Sequence, residues 1–384
     1  MATPRAPVDP GEILEEFERF SQRDDVFCRS FWDPSIRSPE TDRFYATYRE
    51  PLARWKKADG FTQRDYALRN ASWHVTDIFA ELFEKEDRRE GYLDPFSVLR
   101  DAPGERVDFD SPHAASDEIK RVGRLFGADL IGVAAFDERW LYTHRYSRER
   151  EHDKPNEMPE GMRHAIVFAR SMDHSLIDTV PSALSGAATG WGYSEDTLTA
   201  LALAQYIRNL GYQAVPSLND TALAIPLAIQ AGLGEYGRIG LLMTKEFGPR
   251  VRIGKIFTDM PLAADRPIRF GVKEFCDVCT RCADACPVNA IPDGPPTAEI
   301  LNRSNIVGVR KWTVDAESCF DFWAKQNSDC SICIRVCPYN RDWPRWLFGA
   351  WRRLAATPLR RLLVWLDEAL GFGARRPARN WWRP

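Results

Sequence analysis

Apolar residues recur at helical spacing over residues 12–20 (Ile13, Leu14, Phe17, Phe20) and 76–86 (Ile78, Phe79, Leu82, Phe83), and each stretch predicts a helix. Asp33-Pro34, Ser38-Pro39 and Glu50-Pro51 break the chain between them. Residues 1–110 therefore read as a helical, loop-rich region with no evident chemistry. From Ser116 the texture changes. Ser116, with Asp117 and Glu118 in its first turn, predicts a helix ending near Gly127, followed by an apolar strand over 129–135. Further strands are expected over 165–169, 213–216 and 251–258. Ser194 is the expected cap of an amphipathic helix with Leu198, Leu201, Ala202, Ile207 and Leu210 inward, stopped at Gly211. Helices and strands thus alternate over 111–270, and the fold class expected is α+β with a layered α/β domain.

Composition narrows this picture. At 384 residues, 44% hydrophobic and 28% charged, the chain can bury a core and is not a disordered polymer. The net charge of -3 gives no general attraction to nucleic acid. The first residues show no apolar signal core and no twin arginine, and no run approaches the ~18 apolar residues of a membrane span. The expected location is the cytoplasm, where clustered cysteines bind metal more often than they form disulfides.

Eight of the nine cysteines lie between Cys276 and Cys337, in a module over 271–340. Cys276-x2-Cys279-x2-Cys282-x3-Cys286-Pro287 is the bacterial ferredoxin spacing, in which three thiolates hold one [4Fe-4S] cluster and the fourth reaches the other. Cys319-x10-Cys330-x2-Cys333-x3-Cys337-Pro338 is the partner half. Reciprocal sharing assigns Cys276, Cys279, Cys282 and Cys337 to one cluster, and Cys319, Cys330, Cys333 and Cys286 to the other. Structural zinc also uses Cys-x2-Cys pairs, but not this run with two Cys-Pro endings. Cys28 is left over as an ordinary buried thiol. The tail, 341–384, has ten Arg, no Lys and six of the thirteen Trp.

Gly232, Gly234 and Gly237 satisfy G-x-G-x-x-G, but a helix is expected before them and a strand after, the reverse of the dinucleotide-binding order. The glycines mark a close backbone approach, either to protein or to a flat cofactor.

These residues carry a resemblance. AGLGEYGRIGLLMT at 231–244, EFGPRVRI at 246–253, IFTDMPL at 256–262 and GADLIGVA at 127–134 resemble the core of the corrinoid reductive dehalogenases. The two-cluster module and the WLDEALGFG segment at 365–373 are similar too. The resemblance covers about 116–384. It implies cobalamin in a nitroreductase-like α/β domain over 111–270, two clusters that feed it electrons, and replacement of carbon–halogen by carbon–hydrogen. By the same resemblance Tyr193 is the expected proton donor, Arg252 its electrostatic partner and Asn219 a neighbour. Arg250 competes with Arg252, and with Gly232, Gly234 and Gly237 is a candidate cofactor contact. The residue types suit the chemistry, because a phenol gives up a proton more readily where a guanidinium stabilises its anion. The resemblance implies base-off cobalamin without a protein His ligand, and it agrees with this that no His stands in an Asp-x-His-x2-Gly context.

The implied partners are an organohalide substrate, aromatic or phenolic, and an external ferredoxin, flavodoxin or reductase, since only 44 residues follow the second cysteine run. The basic tail is expected to be a lid over the cofactor domain; a membrane surface or RNA contact is the alternative. Two other functions compete. An epoxyqueuosine reductase-like tRNA enzyme would use a carboxylate acid, for which Asp196 is the candidate. The other is a plain electron-transfer iron–sulfur protein without cobalamin.

Overall fold

The computed structural model describes residues 12–49, 58–86, 105–147 and 152–383. The expected break at Glu50 and Pro51 lies outside them, as do the side chains of Leu82 and Phe83. In chain order, β1 (Glu12–Ile13) precedes the helices α1 (Val26–Trp32), α2 (Pro39–Arg49) and α3 (Gln63–Glu86). Then come α4 (Pro112–Leu125), β2 (Leu130–Ala135), the paired strands β3 (His144–Ser147) and β4 (His152–Pro155), β5 (His164–Ser171), α5 (His174–Ile177) and α6 (Ala183–Asn209). They are followed by β6 (Ala214–Ser217), α7 (Ala224–Gln230), β7 (Gly234–Tyr236), β8 (Leu242–Thr244) and β9 (Val251–Thr258). The cysteine module contributes α8 (Val272–Cys276), α9 (Arg281–Asp284), β10 (Val309–Arg310), α10 (Ala316–Gln326) and α11 (Ile332–Val336). The tail forms α12 (Arg345–Ala355), α13 (Arg360–Ala369) and α14 (Ala378–Trp381).

The central sheet has strand order β2-β5-β9-β6, and every pairing in it is antiparallel. Alternation along β5 sends Ile166 and Phe168 to one face, where they meet Ile119 of α4 and Leu203 of α6. Ala165, Val167 and Ala169 point the other way, to Leu227 and Ile229 of α7. Helices thus cover both faces of an antiparallel sheet, which is the α+β class. Ile166 and Phe168 are fully buried, and each such side chain contributes about 2 kcal/mol.

Four local expectations are corrected. Residues 12–20 are not a helix: β1 pairs with β10, and Leu14 N–H donates to Gly308 O at 2.9 Å. Their apolar spacing has another use, since Phe17 packs edge-on against Trp140 at 5.7 Å. The helix expected over 76–86 is the end of the longer α3, and Ile78 is exposed. Helix α4 is capped by Ser111, whose Oγ accepts from Ala114 N–H at 3.1 Å; Ser116 is buried and bonds the Ala263 backbone.

Helix α6 begins at Ala183 with Ser182 as its cap, so Ser194 lies in mid-helix and donates to Ser72 O at 2.7 Å. Leu198 is 51% exposed; the inward positions are Asp196, Thr197, Ala200, Leu203 and Ile207. Gly186, Gly190 and Gly192 of α6 are close approaches. A Cβ at Gly190 would stand 2.3 Å from the Trp73 ring, and one at Gly192 2.7 Å from Arg252 Cγ. Among the described residues, no helix is long and apolar enough to cross a membrane.

Candidate active site and cluster module

Eight cysteines fall into two sets. Cys276, Cys279, Cys282 and Cys337 are all buried and wall one small cavity with Arg238, Met243 and Tyr339. Cys286, Cys319, Cys330 and Cys333 are half-buried. Burial pushes Cys279 and Cys337 up to about 11, and Cys319 up to about 12, with Cys330 and Cys286 adding to the shift at Cys319. The thiols therefore shed their protons most readily to a metal, which favours the thiolate. Arg238 is buried and donates to Cys276 O and Cys279 O at 2.6 and 3.1 Å, fixing the loop that carries three of the ligands.

The tail packs on this module. Phe348 and Trp351 of α12 join Phe275 and Tyr339 in one core cluster, with Trp351 and Tyr339 edge-on at 5.0 Å. Asp367 of α13 accepts from Arg341 at 2.7 Å and also pairs with Arg281, between Cys279 and Cys282. The tail was expected to be a lid over the cofactor domain. Helices α12 and α13 cover the cysteine loops, where Asp367 and the aromatic residues find partners, while Arg375, Arg376 and Trp381 bond Thr179, Asp178 and Ser175 of the sheet domain.

A cavity of about 540 Å³ opens between the sheet domain and the first described segment. Tyr193 and Asn219 line it, as does Arg252. Asn219 Nδ2 donates to the Tyr193 oxygen at 2.6 Å, and Arg252 Nη1 donates to the same oxygen at 3.2 Å. The Arg252 guanidinium also lies 5.1 Å from the Tyr193 ring centroid, and Trp73 of α3 stacks on that ring at 5.0 Å. Tyr193 is thus held by α6, α3, β9 and the loop after β6. A phenol oxygen that accepts two hydrogen bonds keeps its own proton for a third group, and both donors favour its anion.

Other expected contacts fall elsewhere. Arg250 donates to Asn340 Oδ1 at 3.0 Å and to Met172 O, and does not reach Tyr193; it precedes β9, and its guanidinium serves to tie two loops. The glycines serve packing, not the cavity. A Cβ at Gly234 would meet Met243 O at 2.2 Å, at Gly237 Met243 Cγ at 2.6 Å, and at Gly232 Arg266 O at 2.7 Å. The hairpin they belong to is nonetheless a partition: Gly240, Leu241 and Leu242 line the large cavity, while Arg238, Ile239 and Met243 face the buried cysteine set.

The sequence reading missed residues from the first segment. Phe20, Gln22, Asp25, Phe27 and Cys28 line the cavity, although residues 1–110 offered no motif. They reach it because the segment crosses the sheet domain, with Phe20 near Tyr142 at 6.1 Å and Thr143 N–H donating to Phe20 O at 2.9 Å. Cys28, expected as a plain buried thiol, is half-buried on this wall. Trp73 was missed as well; only the paired glycines of α6 hint at a large ring opposite.

With this geometry in hand, the chain can be compared with known proteins. Residues 275–340 match the 4Fe-4S double cluster binding domain. A tetrachloroethene reductive dehalogenase of Desulfitobacterium hafniense is 39% identical over 62% of this chain and 50% of its own. One from Sulfurospirillum multivorans is 34% identical over 96% of this chain and 82% of its own. The chain spans about half the length of the first of these relatives. Two solved structures have the same fold, each 23% identical and covering 98% of this chain and 50% of theirs. One, with TM-score 0.75, is a reductive dehalogenase described for B12-dependent dehalogenation. The other, with TM-score 0.73, is a catabolic reductive dehalogenase in complex with 3-bromo-4-hydroxybenzoic acid.

Proposed function

The chain belongs to the reductive dehalogenase family, and we propose that it replaces a halogen on an sp2 carbon by hydrogen: R–X + 2e⁻ + H⁺ → R–H + X⁻. One observation carries this reading above the others: Tyr193, a proton source, faces a cavity with Asn219 and Arg252 both donating to its oxygen.

The cavity suits a corrinoid. Its walls are largely apolar, with Gln22 and Lys311 available to amide and phosphate arms, and Trp140 on the wall has a buried Nε1 that bonds nothing among the described residues. Bound there, the corrinoid would supply the low-valent cobalt that cleaves the carbon–halogen bond. The chain's own residues do the rest. Tyr193 delivers the proton at its phenol oxygen. Arg252 and Asn219 stabilise the phenolate left behind, and Trp73 keeps the ring in place. Phe20, Phe27 and Tyr142 give a flat halogenated substrate an aromatic wall and exclude water.

We read the half-buried set Cys286, Cys319, Cys330 and Cys333 as the cluster that takes electrons from an external donor. The buried set, one hairpin away from the cavity, is then the last carrier. The substrate class joins the relatives' chemistry: tetrachloroethene and 3-bromo-4-hydroxybenzoic acid both carry halogen on sp2 carbon.

The test is anaerobic loading with cobalamin, iron and sulfide, followed by halide release from both compounds with reduced methyl viologen as donor. Halide release that needs cobalamin supports the reading, and none from any haloalkene or haloarene overturns it. NAD(P)H as the sole reductant should give no turnover. Asp196, the acid expected for the epoxyqueuosine alternative, is fully buried and does not line the cavity.

A further inference from the structure

Asp196 follows Tyr193 by three residues, so both lie on one side of α6. Its carboxyl is fully buried, and neither oxygen has a hydrogen-bond partner among the described residues. Opposite it, on the sheet, Arg170 of β5 and Arg252 of β9 are direct cross-strand neighbours. Each of these arginines also has a buried Nε with no partner among the described residues. Arg170 is already paired with Glu195, whereas Arg252 has no carboxylate within ion-pair distance among the described residues, feels the charge of the buried Asp329 besides that of Asp196, and spends its Nη1 on Tyr193.

A buried carboxyl without donors is costly, and such groups concentrate where charge is being managed. Burial pushes the Asp196 carboxyl well above the usual carboxylate range; Arg252 and Arg170 pull it back, Glu195 pushes it further and Lys255 pulls it back slightly. From α3, the neighbours on this stretch of α6 are Ser72, Trp73 and Thr76, none of which is ionisable. Strand β6 (Ala214–Ser217) has no charged residue. Arg252 is therefore the charge that Asp196 and the Tyr193 oxygen share.

We propose that Asp196 is a positioning residue for the Tyr193–Arg252 pair: as the neutral acid it leaves the guanidinium charge to the phenol oxygen, and as the carboxylate it draws that charge away. Transfer of the Tyr193 proton creates a phenolate beside Arg252. A carboxylate already compensating Arg252 weakens that stabilisation, so the proton on Asp196 keeps Tyr193 a competent acid. Asp196 touches neither substrate nor cofactor. This rests on the assignment of Tyr193 as proton donor.

The experiment compares wild type with Asp196→Asn, a neutral near-isostere, in the cluster- and cobalamin-loaded chain. One readout is the pH profile of kcat/KM with methyl viologen as donor. The other is the tyrosinate ultraviolet difference absorbance, with Tyr193→Phe subtracted. We expect Asp196→Asn to match wild type at acid pH, to hold its activity about one pH unit further into alkali, and to exceed wild type by about tenfold there. It should also form its Tyr193 phenolate at lower pH than wild type, and that deprotonation then sets its own alkaline limb.

Profiles that superimpose would overturn the proposal by making Asp196 a space filler. A loss of about 100-fold at every pH with iron content retained would overturn it too, since Asp196 would then itself supply the proton. Asp196→Ser, smaller and neutral, must extend the alkaline limb in the same way if Asp196→Asn does not accumulate as folded protein. If wild type dehalogenates nothing, the functional reading fails, and the absorbance titration still decides the role of Asp196.

Discussion

The side-chain amide of Asn219 donates to the phenol oxygen of Tyr193 at 2.6 Å, from 26 residues away in the chain. With Arg252 at 3.2 Å, it gives that oxygen two donors, one of them charged. The two should differ in weight. Asn219→Ala removes a neutral donor at a half-buried oxygen and should lower kcat by about tenfold. Arg252→Met removes a cation from where negative charge develops and should cost about 100-fold or more. Steady-state halide release with KM resolved from kcat checks this; equal losses for both would contradict the charge argument.

The cysteine sets make a stoichiometric prediction. Cys333→Ser should lose about four of about eight iron atoms, because each cluster needs its four thiolates. Cys28→Ser should lose none, since Cys28 lies on the cavity wall and not in the module. Iron and acid-labile sulfide analysis of anaerobically purified protein decides both.

Asp367 joins the tail to the cysteine loops through Arg341 and Arg281, and its side chain is 2% exposed. Asp367→Asn leaves two guanidiniums close together without their counter-charge. Removing one partner of a buried pair typically costs about 3–5 kcal/mol. The expected result is a marked fall in Tm together with faster cluster loss in air, read at the iron–sulfur absorbance. An unchanged Tm would mean that the tail is not clamped through this residue.

Asp196 predicts a pH dependence of stability. Its folded carboxyl is held above its unfolded value by burial, so the stability it contributes is complete below the unfolded carboxylate range and is lost as pH rises through the folded value. Asp196→Asn should therefore unfold at nearly the wild-type temperature near pH 4 and at a higher temperature than wild type at pH 8. A gap that narrows toward alkali would contradict this sign.

Much of the sheet and module was legible because the signals were local: apolar runs for β2, β5 and β9, and ligand spacing for the cysteines. Tyr193, Asn219 and Arg252 lie together as the motif resemblance led one to expect. The misreadings share a cause. Ser194 reads as a helix cap, yet it lies inside a continuous α6 whose Gly186, Gly190 and Gly192 admit Arg69, Trp73 and Arg252. Phe20, Asp25 and Cys28 reach the cavity by long-range packing that no spacing announces. The tail gave no sign of its partner, since the pairing of Asp367 with Arg281 spans 86 residues of sequence.

The central claim is that Tyr193 gives the proton that replaces the halogen. It is tested most directly by cobalamin-dependent dehalogenation of tetrachloroethene and 3-bromo-4-hydroxybenzoic acid by wild type and Tyr193→Phe, with reduced methyl viologen as donor and equal iron and cobalamin content. Phenylalanine keeps the ring against Trp73 and removes only the hydroxyl, so the account predicts a fall in kcat of at least about 100-fold, the lower end for a lost general acid. Full activity in Tyr193→Phe would contradict it.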